Sequence, residues 1–495
     1  MTSNAMDDSL PTCILHAEKA CRPVSASAPR LRHVAGNRYA QFCLFLIYYF
    51  TLEDFIIKFL PGGIAYFLRY LPEVLLYAGA FFLRNKDRKI TQFPLFWPLC
   101  VCLASMLVSA LLHGASMRMA LLDFYSNFRF VTFAYILWNA NLSARQLIRF
   151  IDDFFVLVIL EAMIGALELT GTSAMNFFRP VLGWSNGVAY VSTEQAESSG
   201  GWIFGSFSNY NHFGLFMVMS FLLAINMFVM RRANRYLWIA MTSFAAVVFS
   251  YSRHSLLILA ITIVVSACVH RRKIAQAFRG RNLVLPVAAL MMVFVLGGSM
   301  LEPVKKRIAS VTDSSVLAGE QSENVRLYMI LLLTPKFMET FPFFGQGPID
   351  QAEKVSLGES DVSLGPSFKA APEIPGWATF YAGDVVWLLL LGLYGCCGLA
   401  AMAFVFCKIF LAARILANLP QNKNPEGVQI CANVTMILIG VVVSAGFFSQ
   451  EIIARDTIPI FWALSGFLLS YAFQYKQYAS SSAALCEHTS RRAQA

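Results

Sequence analysis

Apolar runs of about 20 residues recur between positions 40 and 475, each long enough to cross the hydrocarbon core of a bilayer as a helix. In lipid every backbone N–H and C=O must be paired within the structure, so such a chain is predicted to fold as a bundle of spanning helices. The runs fall at about 40–60, 64–83, 93–113, 119–140, 147–170, 211–230, 236–252, 255–269, 283–301, 384–407, 428–448 and 457–475, about twelve spans in all. Charged residues make up 14% of the chain and hydrophobic ones 57%, whereas a soluble chain carries about a quarter charged. The expected class is all-α, a polytopic integral membrane protein.

A net charge of +10 could suggest nucleic acid as a partner. The basic residues, however, fall in short connectors: Arg84 to Lys89, Arg145 with Arg149, Arg231 with Arg232 and Arg235, and His270 to Arg281. Alternation of the spans puts all of these connectors on one side, which the positive-inside rule makes cytoplasmic. Both termini then lie inside, and no nucleic-acid role is expected. Residues 1–38 are polar and mildly basic and lack the apolar core of a signal peptide, so they read as a disordered cytoplasmic lead-in. Residues 39–301 hold the earlier spans and 302–382 a large external loop whose own apolar segment lies on the membrane surface. The last spans occupy 383–476, and 477–495 is a cytoplasmic tail. The 11 Cys show neither metal nor redox spacing. They read as small hydrophobes within helices.

Charges at the outer edge of the membrane run against this pattern and need a reason. Arg253 sits in a tight outer turn, followed by His254. Its guanidinium either snorkels to lipid headgroups or offers a planar fork to a phosphate or diphosphate. Arg326 opens the apolar segment of the external loop, where a helix N-terminus favours an anion; pairing with Glu320 or Glu323 is the alternative. Arg129, within the fourth run, either pairs with a carboxylate, Asp123 being nearest in sequence, or faces the lipid phosphate. Asn209, Asn211 and His212 lie in the polar stretch Gly205–Gly214. The two Asn side chains suit sugar hydroxyls or a pyrophosphate, or cap the following helix. Arg455, between the last two spans, pairs with Glu451 or lines the same cavity.

These stretches have a combined pattern. Gly205-x-Phe207-x-Asn209-x-Asn211-His212-x-Gly214, then Ser252-Arg253, then Arg326 with Pro342-x-x-Gly345-x-Gly347, resemble the signature of the bacterial O-antigen ligase and polysaccharide polymerase superfamily. The run Leu388–Leu399, with Gly392, Gly395 and Gly398, is similar to the glycine-spaced helix after that family's external loop. The resemblance covers positions 200–400 by motif and the first helices by topology only. It implies a GT-C-like membrane glycosyltransferase with no metal, cofactor or nucleotide-sugar, whose donor is a glycan on undecaprenyl diphosphate. Arg253 and Arg326 match the arginines that hold the leaving diphosphate. Ligases of the family open the helix after the loop with a His-Asn pair, whereas this chain reads Ala382-Gly383-Asp384-Val385, with no histidine from 302 to 382. Asp384 would take that role as in the polymerase branch, burial raising its pKa toward useful proton transfer. The alternative for Asp384 is a helix N-cap.

The expected function is polymerisation of undecaprenyl-diphosphate-linked repeat units into exopolysaccharide or O-antigen at the periplasmic face of a bacterial inner membrane. Asp384, Arg253 and Arg326 would be catalytic, and Asn209, Asn211, His212, Arg129, His254 and Arg455 would bind substrate. Expected partners are the lipid-linked glycan, membrane lipid, and a chain-length regulator and flippase of the same pathway. One alternative is a ligase transferring glycan to a lipid A core, against which the missing loop histidine counts. Another is a transporter or flippase for a lipid-linked oligosaccharide or small anion, which would favour charges at mid-span or broken helices in matched halves. A purely structural scaffold would leave the external arginines unexplained.

Overall fold

The structure, a computed structural model, describes residues 29–57, 60, 62–85, 88–112, 116–168, 183–185, 188–190, 203–207, 210–250, 252, 254–264, 266, 334–335, 338–339, 343–345, 385–419, 426–446 and 457–494. The N-terminal part runs through α1 (Pro29–Ile57), α2 (Gly62–Phe82), α3 (Phe96–Leu112), α4 (Met117–Phe128), α5 (Val131–Ala140) and α6 (Ala144–Glu168). A small antiparallel hairpin then pairs β1 (Gly183–Ser185) with β2 (Val188–Tyr190). Next come α7 (Tyr210–Arg231), α8 (Asn234–Phe249) and α9 (His254–Val264). The chain closes with α10 (Val386–Ala417), α11 (Glu426–Ala445) and α12 (Pro459–Gln494). The described residues are thus helical apart from that hairpin and the connecting turns.

By length and composition, α7, α10 and α11 can each cross a membrane, while α3, α5 and α9 are apolar but shorter. Two boundaries differ from expectation. The lead-in expected to be disordered to residue 38 is helical from Pro29, a residue suited to a first helical position because its missing N–H has no intrahelical partner there. The run expected as one span at 119–140 is two helices, α4 and α5. At the junction the amides of Thr132 and Phe133 bond back to the carbonyls of Arg129 and Phe130, at 3.2 and 3.0 Å. These bonds reach only three residues back, so the turn tightens to 3-10 geometry at Arg129.

Buried side chains make one continuous core. α5 and α7 are its inner posts: Trp138, Phe133 and Leu137 on α5, and Phe213, Phe216 and Phe228 on α7, are all buried. α7 packs on α8 and α11, α5 on α12 and α1, and α10 on α3, α11 and α12. Large apolar side chains on the outer faces of α2, α3 and α6, such as Phe81, Trp97 and Met163, are exposed. Such a surface is costly in water and costs nothing against lipid tails.

The described basic connectors, around Arg88, Arg145 and Arg235, lie at one end of the bundle. Arg88 donates to the Trp138 carbonyl, to the Asn141 side chain at the end of α5 and to Ser470 Oγ of α12, the last at 3.3 Å. Its guanidinium lies over the rings of Trp138 and Phe473, and its burial lowers its pKa to about 10. Arg235 of α8 pairs with Asp152 of α6 at 3.0 Å. Gly427, near the start of α11, lies against Ala144 and Ile148 of α6. At the opposite end, the Ile203 amide bonds the Phe249 carbonyl at 3.4 Å and the Val386 amide bonds Gly446 at 3.0 Å. The candidate motifs lie toward this second end.

Candidate functional site

The polar stretch before α7 is held by two carboxylates. Glu161 and Glu168 stand seven positions apart on α6, about two turns, and so share a helix face. Glu168 Oε2 accepts the amides of Phe204 and Gly205 at 2.7 and 3.0 Å. Glu161 accepts the Ser206 amide at 2.8 Å and the Ser206 hydroxyl at 2.5 Å, and that hydroxyl also reaches the Thr51 carbonyl at 3.0 Å. Both glutamates are buried. Gly205 has φ +60°, and a Cβ there would stand 2.6 Å from Glu161 Oε2, so only glycine fits this turn. Phe207 then drops into the core against Phe213 and Phe216 of α7.

The second motif packs onto the first. Ser252 caps α9: its carbonyl accepts the Leu256 amide at 3.0 Å, and its Oγ accepts the Ser255 amide at 3.3 Å. The hydroxyls of Ser252 and Ser255 bond each other at 2.8 Å. Gly214, in the first turns of α7, faces this turn so closely that a Cβ would lie 2.5 Å from Ser255 Oγ and 3.0 Å from Ser250 Oγ. Asn211 and His212, both half-buried in the first turn of α7, therefore stand at the same end as half-buried His254.

The third motif docks on α10. That helix is broken at Gly395, where φ is +65° and ψ −168°. The turn Phe343–Gly345 lies against the break, and the Cys397 amide donates to the Phe343 carbonyl at 3.0 Å. From α3, Ser105 Oγ donates to the Tyr394 carbonyl at 2.6 Å and Ser109 Oγ to the Gly345 carbonyl at 2.7 Å. Irregular backbone among spanning helices is tolerated only when its polar groups are re-paired in this way. A Cβ on Gly345, at φ +71°, would stand 2.6 Å from the Gly392 carbonyl oxygen. Beside this region an apolar groove of about 630 Å³ runs between α10 and α11, with Val385 and Trp387 at one end.

Arg129 is engaged elsewhere. It pairs with Glu73 of α2 at 2.8 Å, not with Asp123, and both side chains are nearly buried. Tyr125 also donates to Glu73. Arg129 lies at the α4–α5 junction and is directed at α2.

Asp384, Arg253, Arg326, Asn209 and Arg455 lie outside the described residues. The N-cap of α10 is Val385, one position beyond Asp384. Sequence reasoning missed Glu161, Glu168 and Glu73. Their signal was present, since carboxylates inside apolar runs are costly unless partnered. Among the described residues no group of three His, Cys, Asp or Glu is placed to hold a metal ion. No protein-family model matches the chain, and no curated protein is similar to it.

Proposed function

We propose that this chain is a polytopic membrane glycosyltransferase, with about twelve spans, a GT-C-like arrangement and a large external loop. In this reading it polymerises glycan units carried on undecaprenyl diphosphate at the periplasmic face of a bacterial inner membrane. The observation that carries the reading is the joining of the first two motifs: the Gly205–Gly214 stretch and the Ser252 turn, well apart in sequence, meet through Gly214 and Ser255. In this reading their polar residues contribute to one site, next to Arg253 in sequence.

Asp384 accepts the proton of a sugar hydroxyl on one lipid-linked unit. That oxygen attacks the anomeric carbon of another, forming the new glycosidic bond. The carbon–oxygen bond to the diphosphate breaks, its electron pair leaves with undecaprenyl diphosphate, and the anomeric centre inverts. Arg253 and Arg326 stabilise charge growing on the leaving diphosphate, commonly the largest catalytic term in such a displacement. The apolar groove beginning at Val385 suits a lipid tail entering sideways.

Two observations favour a second reading, a transporter for a lipid-linked glycan. α10 is broken at Gly395, and an ion pair, Arg129–Glu73, is buried within the helices, both features of transporter sites.

A deletion strain complemented with wild type, Arg253→Ala, Arg326→Ala or Asp384→Asn, each at confirmed membrane abundance, separates these readings by glycan length on gels. Loss of long polymer with single units remaining supports polymerisation. Long polymer stranded on undecaprenyl diphosphate indicates a ligase. Loss of all external glycan, with units retained on the cytoplasmic leaflet, indicates the transporter. Unaltered polymer in every variant overturns the site assignment.

A further inference from the structure

A second groove, of about 680 Å³, lies between α6 and α8, away from the candidate site. Its walls are apolar, with Val156, Ile159, Met163 and Trp238, and all four are exposed. Along α6 it runs from Asp152 to Ala166, about 21 Å at 1.5 Å per residue. That is somewhat more than one leaflet of a hydrocarbon core about 30 Å thick.

The groove ends at the basic end of the bundle, and the group placed there is Arg235. Its Nη2 donates to Asp152 at 3.0 Å and to the Tyr236 hydroxyl at 2.6 Å. The same hydroxyl donates to Asp152 at 2.8 Å and accepts from Arg231 at 3.4 Å, closing a four-membered network, and the Arg235 guanidinium lies over the Tyr236 ring. The guanidinium is thereby held in one orientation. An arginine carries five N–H donors in a rigid fork, and those on Nε and Nη1 have no partner among the described residues. Arg231, at the end of α7, keeps this corner positive although Asp152 neutralises one charge. A long apolar trough capped by a preset, partly unspent guanidinium matches an amphiphile with an anionic head and an acyl chain. Basic pockets between helices bind anionic lipid heads by the same physics.

We propose that the α6–α8 groove is a binding site for an anionic phospholipid. Its phosphate sits on Arg235 and its acyl chain lies along Val156, Ile159, Met163 and Trp238. The site is distinct from the candidate catalytic end and does not depend on the glycosyltransferase reading. A soluble phosphate would use Arg235 but leave the trough unused. A zwitterionic lipid would fill the trough but gain less at its head.

The test uses the full chain, purified in detergent and stripped of lipid, titrated with phosphatidylglycerol or with phosphatidylcholine of identical chains. Bound lipid is read by native mass spectrometry, with glycerol 1-phosphate as a competitor. Phosphatidylglycerol is expected to be retained in preference to phosphatidylcholine. Arg235→Gln, which removes the fork, and Ala162→Trp, which fills the trough without touching the arginine, should each weaken retention by about tenfold. Arg414→Gln, in the last turn of α10 and outside the groove lining, should leave it unchanged. Should Arg235→Gln fail to fold, Ala162→Trp decides alone. Equal retention of the two lipids overturns the proposal, as does wild-type retention in the folded variants. Complete displacement by glycerol 1-phosphate also overturns it, because the trough would then contribute nothing.

Discussion

Removing the Glu161 carboxylate should release the turn ahead of α7. Two donors converge on it, the Ser206 amide at 2.8 Å and the Ser206 hydroxyl at 2.5 Å, and the side chain is fully buried. Hydrogen bonds to a charged acceptor contribute about 1.5–3 kcal/mol each, so the pair is worth about 3–6 kcal/mol locally. In Glu161→Ala the hydroxyl keeps the Thr51 carbonyl, but the Ser206 amide is left buried without an acceptor. Taking the lower figure, about 3 kcal/mol, local opening should become about a hundredfold more frequent. Hydrogen exchange followed by mass spectrometry over residues 203–207 reads this directly. Glu161→Gln keeps one acceptor oxygen and presents an amide donor to the other partner, so its acceleration should be intermediate. Wild-type exchange in Glu161→Ala would refute the clamp, whatever happened to activity. Full acceleration in Glu168→Ala alone would assign the anchoring to Glu168.

The remaining predictions concern the other buried contacts. Arg129→Gln and Glu73→Gln should each destabilise by about 3–5 kcal/mol, because each strands a buried charge, and the double variant should cost less than their sum; thermal unfolding of all three completes the cycle. Additive costs would break the pairing. Gly345→Ala should undock the Phe343–Gly345 turn, since its Cβ would meet Gly392 O at 2.6 Å from a positive φ. Amide exchange at Cys397, whose N–H bonds Phe343 O, should then accelerate, and unchanged exchange would refute the docking. Gly214→Ala should separate α7 from the Ser252 turn, and Ser255→Gly should restore thermal stability, because Ser255 Oγ and Cβ are the nearest atoms to the added methyl; no rescue would place the conflict elsewhere.

Much of the helical layout was legible because apolar length is a one-dimensional signal. The runs at 211–230 and 428–448 correspond to α7 and α11 within a few residues. The break at Arg129 was not legible: hydropathy averages over a turn, and one arginine among Phe128, Phe130 and Val131 barely lowers it. Which carboxylate would meet Arg129 was also hidden. Asp123 was nearest in sequence, but pairing is decided by how α2 packs on α5, and Glu73 lies 56 residues away. The glycines at 205, 214, 345 and 395 were visible as a pattern. Their reasons, two positive-φ turns, a broken helix and a serine contact, are properties of the packed bundle.

The three motif stretches contain a physical device that bears on how the candidate site keeps its shape. The first and third of them, and the start of α10, include backbone that leaves regular helical pairing and is re-paired by a specific donor or acceptor from a neighbouring segment, whereas the Ser252 turn is paired within itself. Glu161 and Glu168 of α6 serve residues 204–206, Ser105 and Ser109 of α3 serve Tyr394 and Gly345, and Gly446 after α11 serves the first turn of α10. An unpaired amide or carbonyl at this depth costs several kcal/mol, so these contacts fix the irregular segments more firmly than apolar packing would. In the proposed reading a preset polar end is what the reaction requires, because donors already in place need no reorganisation as charge develops. Function should therefore be as sensitive to Glu161, Glu168 and Ser109, which touch no substrate in the proposed reading, as to the residues of the motifs themselves.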